Sequence, residues 1–161
     1  MMKGLVGWMK MTMSSLFNSS FEMGLRVVSL MAVYNKPCTK DRIFCLDFIT
    51  SYAATFDFLY ENLHGNNKYM FGELSNRRAL LQEALKDLVT SGLISAQIEN
   101  KEYVFSVTAA GKKYVSSFKN EYAKEYMTIA KAVATKYKKS SDQDLIGIIQ
   151  NRSLNSAKGE Y

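Results

Sequence analysis

The chain has 161 residues, 47% hydrophobic and 22% charged, with a net charge of +6. That is one ordinary domain with enough apolar material for a core. A single proline excludes a Pro-rich linker, and no stretch reaches the roughly 20 apolar residues that span a membrane. Two cysteines (Cys38, Cys45) and one histidine (His64) are too few for a tetrahedral zinc site, and the thiols read as buried or half-buried groups of a reducing cytosol.

Met1 to Met13 has a weak likeness to a signal peptide, with Lys3 ahead of Leu5, Val6 and Trp8. Lys10 interrupts it too early, and no small-residue cleavage site follows. Residues 1–20 therefore read as a frayed leader, and the methionines at 9, 11, 13 and 23 leave the translation start open.

Phe21 to Tyr34 reads as a buried helix with Leu25, Val28, Leu30 and Met31 on its apolar side. Asn35, Lys36 and Pro37 end it. Thr39 is an N-cap, with Asp41 in the following first turn. A second helix carries Ile43, Leu46, Ile49, Ala53 and Phe56 at spacings of three and four. A looser stretch to Leu74 includes the turn signal Gly65-Asn66-Asn67. Ser75 is expected to cap a third helix to about Ser91, with Leu81, Ala84, Leu85 and Leu88 inward and Gly92 as its C′ residue. Leu93 to Ile98 and Tyr103 to Val107 read as a hairpin about Glu99-Asn100-Lys101. Thr108 caps one long helix to about Tyr137. A short helix from Asp142 to Ile149 and a loose tail after Arg152 complete the chain.

Three helices, a hairpin and a further helix make a mostly α chain with a small β-hairpin: a winged helix-turn-helix with a long C-terminal helix. The winged-helix domain spans 21–137, followed by a short helix and tail over 138–161.

The basic balance invites a nucleic-acid reading. However, eight lysines against two glutamates between Lys112 and Lys139 carry the whole excess. The third helix has three basic residues against two acidic ones, and the hairpin one against two. A DNA-reading helix and wing bring cations to phosphates. Against that, Arg78, Gln82 and Lys86 lie at i, i+4 and i+8 on one face, and Arg and Gln can read bases. With Lys112 and Lys113 as backbone contacts, these are the residues of a DNA-binding regulator. The alternative is a solvated or partner-facing side.

An active site is not expected. His64 sits beside Gly65 in a loop, no Gly-rich phosphate loop occurs, and Asp41, Asp47, Asp57 and Glu61 fall at mixed spacings. The aromatics Phe44, Phe48, Tyr52, Phe56, Phe58 and Tyr60 suit core and interface rather than base stacking.

The run Arg26-Val-Val-Ser-Leu-Met with Asp41-Arg42-Ile43 and Leu46-Asp47-Phe48-Ile49 resembles the opening of middle components of bacterial ABC-three-component systems. Leu63-His64, Gly72-Glu73-Leu74 before Arg77-Arg78, Leu88 to Ile94, Tyr103 to Gly111 and Tyr122-Ala123 fit the same pattern, over roughly residues 21 to 135. The leader has no counterpart in it. The resemblance implies a cytoplasmic, non-catalytic adaptor without cofactor or metal. Its partners would be a large coiled-coil ABC ATPase, in the style of chromosome-maintenance ATPases, and a third effector or sensor protein. The setting would be defence against phage or plasmids. A homodimer and nonspecific nucleic-acid contact stay open; a membrane does not. The partner-facing residues expected are Asp47, Tyr52, Phe56, His64, Arg77 and Arg78.

Asp47 stands between Leu46 and Phe48, where an unpaired carboxylate is costly. Either it is stapled to Arg77 or Arg78 of the third helix, or it lies on the surface as a contact for the ATPase.

Overall fold

The computed structural model describes residues 19–65 and 70–157. The leader, except Ser19 and Ser20, lies outside them, as do Asn66 and Asn67. Six α-helices and one small antiparallel sheet make up the described residues.

Helix α1, Ser20–Tyr34, is nearly apolar all round, which predicts a central helix. It packs against four of the other five helices. The Ser19 hydroxyl accepts from the Glu22 amide at 3.0 Å, and Asn35 ends the helix in the left-handed region at φ 54°. Cys38–Thr39 form a short strand, β1, which was not expected from the sequence. Two residues carry no periodicity to read.

Thr39 caps α2, Lys40–Ser51, as expected, accepting from the Arg42 amide at 3.2 Å. The helix stops at Ser51, short of Phe56. Ala53–Phe56 continue as a 3₁₀ turn, closed by Asp57 at φ 68°. The helical spacing of Ala53 and Phe56 survives this change, and both are buried.

A second 3₁₀ turn, Met70–Glu73, runs straight into α3, Leu74–Thr90. Ser75 therefore lies inside the helix rather than capping it, because the preceding turn has already started the spiral. The inward face is the expected one, Leu81, Ala84, Leu85 and Leu88, with Arg77 added. The helix ends in a Schellman motif. Leu93 N–H donates to the Leu88 carbonyl and Gly92 N–H to that of Val89, each at 3.0 Å, with Gly92 at φ 76°.

Strands β2, Ile94–Glu99, and β3, Glu102–Val107, pair antiparallel from Ile94↔Val107 to Glu99↔Glu102. The two residues between them, Asn100 and Lys101, have φ of 51° and 67°. Two left-handed residues make a type I′ turn, whose twist matches that of the strands. β1 pairs with the other edge of β3, so the strand order is β1-β3-β2.

Thr108 caps the next helix, accepting from the Gly111 amide at 3.0 Å. The long helix expected from it is two: α4, Ala109–Ser116, and α5, Glu121–Lys136. The hydroxyls of Ser116 and Ser117 bond back to the carbonyls of Lys113 and Tyr114, each at 2.6 Å. Asn120 caps a new start, accepting from the Ala123 amide at 2.7 Å. Short polar side chains compete with the helix for backbone partners. The last helix, α6, runs Asp142–Ala157, so the expected short helix and loose tail are one element to that point. Ser141 and Asp144 cap its start reciprocally.

One cluster of buried side chains draws on all six helices and the base of the hairpin. α6 contributes Leu145 and Ile149. Asp142 accepts from the Thr39 hydroxyl at 2.5 Å and from Arg42 Nε at 2.7 Å, joining the start of α6 to that of α2.

Gly111 fixes the approach of α4 to the hairpin: a Cβ there would stand 2.1 Å from the Leu93 carbonyl oxygen and 2.8 Å from Val107 Cγ2. Gly111→Ala is expected to destabilise the fold by about 1–3 kcal/mol through overpacking. Gly147→Ala, in α6 with nothing within 4 Å, should be neutral or stabilise by up to about 1 kcal/mol. Urea denaturation of the two variants checks the contrast.

Candidate functional site

Four charged side chains are buried among the described residues: Glu22 and Arg26 of α1, Asp47 of α2 and Arg77 of α3, exposed by 3%, 2%, 3% and 5%. Ionised groups persist in an interior only when paired and hydrogen-bonded. Arg26 supplies the pairing. Its Nε and Nη2 donate to the two oxygens of Asp47 at 2.9 and 3.2 Å, and its Nη1 is bound to Glu22. The Tyr126 hydroxyl of α5 adds a bond to Asp47 Oδ1 at 2.8 Å.

The network continues outward. The Tyr122 hydroxyl donates to Glu22 at 3.0 Å and lies 2.9 Å from His64 Nε2. His64 Nδ1 lies 3.1 Å from Arg77 Nη2, which also donates to the Tyr52 hydroxyl at 2.7 Å. Four helices and the loop before α3 are thus tied into one run of polar groups.

The electrostatics follow from burial and pairing. Burial alone would raise the Asp47 carboxyl, but the Arg26 guanidinium and the bonds from Arg26 and Tyr126 hold it below its ordinary value. Burial would likewise lower Arg26, but Asp47 outweighs it and the guanidinium stays firmly charged. His64 is pushed down to about 3, by burial first and then by the charges of Arg26 and Arg77. A neutral ring fits the contacts: Nδ1 accepts from Arg77 and Nε2–H faces the Tyr122 oxygen. A second proton would set an N–H against the arginine.

The expected partner residues separate into two groups. Asp47, Tyr52, Phe56 and Arg77 are interior, none more than 5% exposed. The expectation that they face a partner is corrected: each side chain is enclosed in the interior of this fold. The staple itself is also corrected. Asp47 is paired, but with Arg26, because α1 rather than α3 runs past it. Arg77 bonds Tyr52 and His64, with Glu73 at 3.9 Å. Arg78 is exposed, pairs with Asp41 at 3.2 Å and lies 4.2 Å over the Phe44 ring. His64 is half-buried within the network.

Gln82, Lys86, Lys112 and Lys113, the residues of the nucleic-acid alternative, are all exposed. Both thiols are free, buried and pushed up to about 12 by burial. Among the described residues no group of three or more His, Cys, Asp or Glu is placed to hold a metal, and no helix is long and apolar enough to cross a membrane.

Glu22, Arg26, Tyr122 and Tyr126 were not among the expected site residues. The signal was present as two i, i+4 pairs, one of them a Glu–Arg pair inside an otherwise apolar helix. Nor were the apolar side chains left outside among them: Leu59 (101% exposed), Ile98 (66%), Tyr103 (61%) and Leu154 (58%).

Asp47→Ala strands Arg26 in the interior and is expected to cost about 3–5 kcal/mol, read as a fall in the urea midpoint with the native fold kept at low denaturant. His64 gives a pH signature. Its folded value lies below the unfolded one near 6.5, so the unfolded chain binds more protons between pH 6.5 and 3, and stability falls on acidification through that window. Going from pH 7 to 5 should cost about 1–2 kcal/mol. Because His64 is the chain's one histidine, His64→Gln should remove most of that slope; an unchanged slope would contradict the assignment.

No curated protein and no solved structure matches the chain. One family model does, over residues 16–159, reaching beyond both ends of the resemblance read from the sequence and into its leader. With nearly the whole chain matched, the protein belongs to the family of the ABC-three component (ABC-3C) system Middle Component 2.

Proposed function

We propose that the chain is a winged-helix adaptor without chemistry of its own. It would link the ATPase of an ABC-three-component system to that system's sensor or effector, in defence against phage or plasmids. Family membership over residues 16–159 is the observation that carries this reading. The winged-helix description is supported by the order helix, strand, helix, helix, strand, strand and by the sheet order β1-β3-β2.

Two further features fit an adaptor. Glu22, Arg26 and Asp47 are spent on one another in the interior, in a network that Tyr126 joins. Large apolar side chains stand outside on the loop after α2, on the hairpin and on α6. Exposed apolar and aromatic groups are what docking surfaces are made of. A DNA-reading role for α3 is less well served. Arg78 is engaged by Asp41 and Phe44, and the hairpin tip carries Glu99 and Glu102.

Co-expression of the tagged chain with the ATPase and third component encoded beside it should recover a complex that survives gel filtration. Recovery of the chain free of both soluble partners would sink the adaptor reading. Fluorescence anisotropy on random duplex DNA should show only weak binding that collapses with salt. One enriched motif, abolished by Arg78→Ala, would establish the regulator instead.

A further inference from the structure

Strand β2 is an edge of the sheet; Ile98 near its tip is exposed and pairs in register with exposed Tyr103 of β3. Edge strands are usually blunted by proline, lysine or a bulge. Ile94-Ser-Ala-Gln-Ile-Glu99 has none of these.

The backbone fixes what this edge offers. In a two-residue hairpin the residues flanking the turn, Glu99 and Glu102, form a hydrogen-bonded pair. Pairs then alternate, so Gln97 and Ser95 bond to β3, while Ile98, Ala96 and Ile94 turn their N–H and C=O outward. The Thr108 amide bonding the Leu93 carbonyl at 3.1 Å confirms the parity. The outward-bonding residues are also the apolar ones, and they share one face of the sheet.

Ile-x-Ala-x-Ile reads the same in both directions. An antiparallel copy of β2 laid with Ala96 opposite Ala96 sets each Ile94 opposite Ile98 of the other copy. In that register the outward backbone groups meet, exposed Ala96 faces its copy, and exposed Ile98 comes to the strand start where Ile94 enters the other copy's core. A shift of one residue would set Ile94 opposite Glu99 and break both matches.

Charge selects the same arrangement. The acidic tip of one hairpin, Glu99 and Glu102, comes to the hairpin base of the other. There Gly111 holds the first turn of α4 against Leu93, and exposed Lys112 and Lys113 follow directly.

We infer that two copies of this chain pair through their β2 edges, about a two-fold axis at Ala96, into one continuous six-stranded sheet.

The full chain should sediment as a dimer of the 18.3 kDa protomer at tens of micromolar. Ala96→Pro removes only an outward donor, leaving the ladder to β3 intact. It should weaken self-association at least about tenfold, since each copy loses a bond across the axis. Ile98→Lys, at an exposed position, should do the same, with the melting temperature of the dilute monomer unchanged. Cysteine placement tests the register. Ala96→Cys sets two thiols across an axial pair about 5.5 Å apart at Cα, within disulfide reach. Ser95→Cys sets them on a diagonal about 7–8 Å apart, beyond it. Oxidation should link the first variant and not the second. A monomer at 100 micromolar, or a dimer unaffected by both Ala96→Pro and Ile98→Lys, would overturn the inference.

Discussion

Everything else in this fold is arranged around one guanidinium. Arg26 sits in the middle of the most enclosed helix, 2% exposed, where an unpaired charge costs several kcal/mol after relaxation. The structure answers with two carboxylates, one from its own helix and one from α2, and with tyrosine hydroxyls from α5 to complete their bonding. Each bond fixes a direction as well as a distance. α1, α2 and α5 are therefore held at one mutual rotation, which apolar contact alone would specify less sharply.

His64 and Arg77 extend that order to the loop before α3. Arg77 bonds the Tyr52 hydroxyl and lies 5.2 Å over the Tyr52 ring and 5.8 Å over that of Phe48. The aromatic run of α2 is thereby turned inward: Phe44, Phe48, Tyr52 and Phe56 fill the core instead of lining a surface. The large apolar side chains left outside stand elsewhere, in the loop beyond Asp57, on the hairpin and on α6.

The regular elements were legible because they rest on local rules. The Thr39 and Thr108 caps, the αL residue Gly92 and the inward face of α3 all occur as their residue types and spacings require. What failed was non-local. Asp47 signals by its neighbours that it needs a partner, yet nothing local says whether α1 or α3 supplies it. The break at Ser117 to Asn120 was readable in principle, since Asn ahead of Glu121 is a good start signal, but apolar periodicity on both sides masked it. β1 owes its existence to β3, more than 60 residues away. For the candidate surfaces the lesson runs the other way: aromatic content suggested an interface at residues that burial then claimed.

The joint between Thr39, Arg42 and Asp142 has a bearing on how the chain comes to be folded. It closes loops of 103 and 100 residues, and α2 packs against α6, whose Leu145 is fully buried. During synthesis, an N-terminal portion ending at Tyr137 would have α2 without its last apolar cover and Arg42 without its carboxylate. Long-range closures of this kind come late. The nascent chain completes its core only when its final helix is free to return to its second.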